Sequence, residues 1–120
     1  NIRDSDVTAY TMTDIDKRGV TEVVTEALAV ATDGTDGVHV SLDMDWLDPT
    51  EAPGVGTPER GGVSYREARA AMEHIAETVV EPGLLRSFEL VEVNPILDRH
   101  NQTAELAVEL AASALGKVIL

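Results

Sequence analysis

Cysteine is absent from the chain, which excludes disulfides and thiolate metal sites. Aromatic residues are only 3% of it, so a core has to be built from Val, Leu, Ile and Ala. No run approaches the ~20 apolar residues that a membrane-spanning helix needs. The opening residues Asn1-Ile2-Arg3-Asp4-Ser5-Asp6 do not read as a signal peptide, because no apolar run follows a basic start. The first residue is Asn rather than Met, which suggests that further residues precede it. A cytoplasmic setting is the simplest expectation. At 120 residues the chain is one domain at most, and its 43% hydrophobic content is ordinary for a soluble protein.

Positive charge is scarce as well. Twenty-two acids face nine Lys and Arg, giving a net charge of −13, and Lys17 and Lys117 are the only lysines. Such a chain repels nucleic acid and anionic membrane, so neither is expected as a partner. Two readings of the charge stand: an ordinary acidic soluble protein, or adaptation to high salt, since low Lys with abundant carboxylate is similar to proteins of salt-loving archaea.

Along the chain three strand-then-helix units can be read, without repeats. Val7–Met12 is a strand candidate rich in β-branched residues. The helix after it carries Val20, Val23, Val24, Ala27, Leu28 and Ala31 at helical spacing, and Asp33-Gly34 ends it. A second strand runs from Val38 to about Asp43, and Asp48-Pro49 opens a loop rich in Pro and Gly that lasts to Gly62. Ser64-Tyr65-Arg66-Glu67 is a capping box, followed by the stripe Ala68, Ala71, Met72, Ile75, Ala76 and Val79, which Pro82-Gly83 terminates. Phe88 to Val93 is the third strand, stopped by Asn94-Pro95. A last helix starts near Asn101 and buries Leu106, Ala107, Leu110, Ala111, Ala114 and Leu115, with Gly116 past its end. Alternation of this kind implies an α/β fold in three layers, a parallel sheet with helices on both faces. Ligands in such sheets bind beyond the carboxyl ends of the strands.

Two strand ends carry acids. The second finishes Asp43-Met44-Asp45-Trp46-Leu47-Asp48-Pro49, the third Val91-Glu92-Val93-Asn94-Pro95. An acid at the end of an apolar strand costs desolvation unless a cation or donor meets it. Asp43 and Asp45, two apart, point to the same side of an extended chain and together suit a hard divalent cation such as Mg²⁺ or Mn²⁺. A hydrogen-bonded turn explains the short motif equally well. A phosphatase-type nucleophile and a Mn²⁺-chelating sugar-nucleotide transferase also use Asp-X-Asp. An EF-hand is rejected, because Asp48 stands where that loop needs Gly.

The longer pattern decides between them. Ser41-Leu42-Asp43-Met44-Asp45-X-Leu47-Asp48-Pro49, Ala52-Pro53-Gly54-Val55-Gly56-Thr57-Pro58, Gly61-Gly62, Tyr65-Arg66-Glu67 and Val91-Glu92-Val93-Asn94-Pro95 together resemble the arginase and agmatinase family, from about Val7 to Leu120. The resemblance implies the C-terminal half of an arginase-like domain, with the N-terminal half absent. It implies two Mn²⁺ ions that activate water, Asp43 bridging them and Asp45 completing the shell of one. By the same resemblance Glu92 receives the substrate guanidinium, and Thr57 lines the pocket near it, where a Thr-Pro turn hydroxyl explains Thr57 equally well. Asp48 reads as a turn former before Pro49, and Trp46 departs from the family's usual small or aliphatic residue.

The family's Gly-Gly-Asp-His and Asp-Ala-His-X-Asp segments do not occur here, and His39, His74 and His100 read as structural or solvated rather than as substitutes. Val93 to Asp98 looks like the arginase branch, so the resemblance implies hydrolysis of L-arginine to L-ornithine and urea by a complete enzyme, a trimer or hexamer. The rivals are agmatinase or another guanidino-compound ureohydrolase, the Mn²⁺-dependent sugar transferase, which leaves Thr57 and Glu92 unexplained, and a catalytically incompetent remnant or interaction module.

The charge makes a prediction of its own. Most of the acids must lie on the surface, where their mutual repulsion opposes the compact state. Raising salt from 0.01 M to 1 M shortens the Debye length from ~30 Å to ~3 Å and removes most of that repulsion. Thermal melts at fixed pH should therefore show Tm rising with KCl into the molar range. A flat or falling trend would leave an ordinary acidic protein.

Overall fold

A computed structural model of the chain describes residues 2–117, the Arg3 side chain excepted. Residues 118–120, the tail of the family resemblance, lie outside them. Four α-helices and two strands follow in the order α1 (Met12–Arg18), α2 (Val20–Thr32), β1 (Val38–Asp43), α3 (Tyr65–Ile75), β2 (Leu85–Val91) and α4 (Gln102–Ala114). The α/β class with parallel pairing holds: β1 and β2 run parallel, with Val40 beside Phe88, Leu42 beside Leu90 and Asp43 beside Val91.

The helices form where the apolar stripes said they would. Ala68, Ala71, Met72 and Ile75 of α3 are all buried, as are Ala76 and Val79 in the single π-turn that extends it to Val80. Ser64 and Glu67 make the reciprocal capping box at its start. Val20, Val23 and Leu28 of α2 and Ala107, Leu110 and Ala114 of α4 reach the same core. Leu115, expected in the α4 stripe, is 57% exposed, because the helix has ended one residue earlier.

Val7–Met12 is not a strand. Among the described residues nothing pairs with it, Val7 is 65% exposed, and Thr11 instead forms a capping box with Asp14 that starts α1. β-Branched composition favours a strand only where a partner supplies the ladder, and a local cap prevails here. The third expected strand forms over Leu85–Val91 rather than Phe88–Val93.

The two-stranded sheet buries one face. Val38 and Leu42 are buried on it, with Val40, Phe88 and Leu90 packed against the core. The opposite face presents His39, Ser41, Ser87 and Glu89, all exposed, so the second helical layer is not found among the described residues. The long loop after β1 is closed at its base by a parallel bridge between Leu47 and Val63, with Val63 N–H donating to the Trp46 carbonyl at 3.0 Å. Gly62 is required there, since a Cβ would fall 2.5 Å from the Leu47 carbonyl carbon. Trp46 is half-buried and packs against the core. That closure returns the chain to α3 and leaves the loop lying across the carboxyl ends of both strands.

Candidate metal and substrate site

Parallel pairing brings the two acid-bearing strand ends together. Asp43 ends β1 opposite Val91, the last residue of β2, and Glu92 follows directly after it. After Asp43 the chain turns at once through a 3-10 turn, Met44–Trp46, in which the Asp45 N–H donates to Asp43 Oδ1 at 3.0 Å. Met44 is fully buried, which anchors the turn and sends the acids on either side of it toward the sheet end.

These carboxylates feel one another. Burial pushes the Asp43 carboxyl above its usual value, the Asp45 N–H pulls the other way, and the neighbouring Asp45 and Glu92 charges push it further up. A cation between such groups would reverse that penalty, because it favours their charged forms. All the donors are carboxylate oxygens, a hard set that suits Mg²⁺ or Mn²⁺ and not a soft metal. Asp43 and Asp45 therefore fit part of a divalent-ion shell. Among the described residues no cluster of three or more His, Cys, Asp or Glu forms, so the set is incomplete within them.

Thr57 approaches from the loop and donates its hydroxyl to Asp45 Oδ2 at 2.8 Å. Gly56 lies against Glu92, whose Oε2 is 3.7 Å from where a Gly56 Cβ would stand. Of the four residues singled out from sequence, Asp43, Asp45 and Thr57 are thus linked by hydrogen bonds, and Glu92 stands at the adjacent strand end beside Gly56. Glu92 is exposed, and its backbone sits at φ 70°, the left-handed region. That conformation costs a side-chain-bearing residue about 1–2 kcal/mol and is found where surrounding structure over-determines it.

Asp48 acts as the turn former expected of it. Its Oδ1 accepts from the Thr50 N–H at 3.0 Å and the Thr50 hydroxyl at 2.8 Å, while Oδ2 accepts from the Gly61 N–H. The Thr50 bonds come first among the causes that hold its carboxyl below the ordinary range. The three histidines stand apart from the acids. His39 pairs with Ser87 at 2.6 Å on the exposed sheet face, and His74 pairs with Thr25 at 2.8 Å between α3 and α2. His100 is an exposed loop residue at φ 50°.

Sequence reasoning assigned no role to Asp98. Burial works against its charge, yet the N–H groups of Thr103, Ala104 and Arg99 hold the carboxyl below its usual range. It was hidden because Asn101, a residue type that caps well, stands at the helix start, and only the structure shows it left-handed with no side-chain bond.

The chain and its fold have counterparts among known proteins. Residues 1–116 match the model of the Arginase family. Arginase from Bacillus subtilis (strain 168) is 51% identical over 119 residues, 99% of this chain and 38% of that protein. The native crystal structure of arginase from Bacillus caldovelox superposes with a TM-score of 0.91 at 49% identity, again covering 99% of this chain and 38% of that one. An agmatine ureohydrolase structure from Thermoplasma volcanium reaches a TM-score of 0.68 at 30% identity, over 88% of this chain and 32% of the other. The chain belongs to the arginase family and has its fold. It spans about 38% of the length of the curated relatives it matches.

The left-handed Glu92 backbone gives a direct test of strain at the site. Glu92→Gly removes the left-handed penalty, offset in part by unfolded-chain entropy, and should raise stability by up to about 1 kcal/mol. Urea unfolding midpoints check this. A lower midpoint in the variant would mean that the Glu92 side chain, not its backbone geometry, governs stability there.

Proposed function

We propose that this chain is the C-terminal part of a Mn²⁺-dependent arginase, contributing one wall of an active site that hydrolyses L-arginine to L-ornithine and urea. The observation that carries the reading is the convergence of Asp43, Asp45 and Glu92 at adjacent strand ends, within a chain of the arginase family. The net charge of −13 with only two lysines supports the salt-adapted reading, and a cytoplasmic setting is part of the same proposal. The family resemblance supports a homo-oligomer, a trimer or hexamer.

In this reading Asp43 and Asp45 would hold the ions in part, the other ligands coming from outside these residues. When bound, the ion pair supplies the Lewis acidity that makes water a nucleophile near neutral pH. The Thr57 hydroxyl, donated to Asp45 Oδ2, orients that carboxylate, and the Thr57 side chain lines the pocket. Glu92 receives the guanidinium of arginine through charge-assisted hydrogen bonds. The guanidinium carbon is a poor electrophile because its charge is delocalised, so holding it over the nucleophile is the principal gain. Water adds to that carbon, and the C–N bond to the ornithine side breaks as the departing nitrogen takes a proton.

The test separates the two kinds of acid. In the complete polypeptide Asp43→Asn should lose metal on dialysis, whereas Glu92→Gln should keep its metal and lose kcat/KM for arginine by about 100-fold or more. Equal metal loss in both would contradict the assignment. Residues 1–120 alone, with Mn²⁺ added, should release no urea, because two carboxylates leave each ion short of ligands. Turnover of agmatine in preference to arginine would move the reading to the agmatinase branch.

A further inference from the structure

The start of α4 is bonded in an unusual way. Asn101, at its cap position, is left-handed and offers no side-chain bond, so the first free amides are covered from a distance. Asp98 does this: Oδ1 accepts from Thr103 N–H at 2.9 Å and from Arg99 N–H at 2.9 Å, and Oδ2 accepts from Ala104 N–H at 3.1 Å. Thr103, fully buried, then turns its hydroxyl outward to accept the Gly54 N–H at 2.7 Å. Gln102 donates to the Glu51 carbonyl at 2.9 Å from the same turn.

Gly54 is the junction. Its Cα lies so close to Asp98 that a Cβ would fall 2.5 Å from Asp98 Cγ, and no other residue fits there. Its carbonyl accepts the Asn94 N–H at 2.7 Å. Asn94 is two residues beyond Glu92, the residue held in a strained backbone conformation. Three residues beyond Gly54 in the other direction is Thr57, bonded to Asp45. One chain of contacts thus runs from Asp98 through Thr103 and Gly54 to Asn94, two residues after Glu92, while Thr57 follows Gly54 along the loop.

We infer that Asp98 is a positioning residue: acting through Thr103 and Gly54, it fixes the loop that carries Glu92 and so sets where the substrate guanidinium is held. The catalytic half of this statement rests on the role proposed for Glu92, while the mechanical half does not. Nothing in Asp98 touches the reacting atoms. Its effect is transmitted by backbone placement, and a misplacement on the order of 1 Å can cost a reaction about 100-fold.

The experiment uses the complete Mn²⁺-loaded polypeptide with Asp98→Asn, Thr103→Val and Thr103→Ser. Amide hydrogen exchange is followed at Asn94 and Gly54, with the Leu42 amide in β1 as internal reference, beside steady-state kinetics on arginine and metal content. Asp98→Asn and Thr103→Val should speed exchange at Asn94 relative to Leu42 and lower kcat/KM by about 10- to 100-fold, with metal content unchanged. Thr103→Ser, which keeps the accepting hydroxyl, should restore both. Unchanged exchange at Asn94 would overturn the proposal. So would a uniform rise that includes Leu42, since Asp98 would then be only a helix cap. An unsubstituted polypeptide that leaves arginine intact would count against the functional reading, and the exchange comparison would still decide on the clamp.

Discussion

Everything at the site depends on the parallel pairing of β1 with β2. Because both strands run the same way, their carboxyl ends share one edge, and Asp43 and Glu92 become neighbours although 49 positions separate them. Antiparallel pairing would send them to opposite ends of the sheet. The result is an electrostatic problem: burial works against the Asp43 charge, and the neighbouring Asp45 and Glu92 charges add to it. In the proposed reading, ion binding by Asp43 and Asp45 at the end of one strand and substrate binding by Glu92 at the end of the other are two answers to that excess of charge.

The rest of the architecture serves to keep that arrangement in place. Buried Met44 pins the turn between the two aspartates, and the Leu47–Val63 bridge closes the long loop so that its Thr57 reaches Asp45. On the other strand the left-handed Glu92 is held by contacts that begin at the first turn of α4. Each device spends local stability or conformational freedom on the position of a charge, as is common where backbone strain sits at a binding site.

How much of this could be read in advance differs by the range of the interaction. The α3 helix was fully legible, since its cap lies within four residues and its stripe recurs every turn. The β1 strand and the acids at its end were legible too, because an apolar run that stops in carboxylates is a local signal. Val7–Met12 misled for the complementary reason: composition suggests a strand, but pairing is decided by a partner, and the Thr11–Asp14 cap was the stronger local feature. The Asp98 cap of α4 reaches only five and six residues along the chain, but the Gly54 junction depends on segments 44 positions apart that meet only after folding. Glu92 could be picked out by its motif, while its left-handed backbone could not, because nothing in its side chain favours that conformation.

The central claim is a division of labour among neighbouring carboxylates, and it is best tested by locating the ions themselves. Anomalous diffraction near the manganese edge, from crystals of the complete polypeptide soaked in Mn²⁺, would do so directly. The account predicts peaks within coordination distance of Asp43 and Asp45, with the Glu92 carboxylate facing them across the pocket and bound to no metal. Density for manganese on Glu92, or none against Asp43, would contradict it.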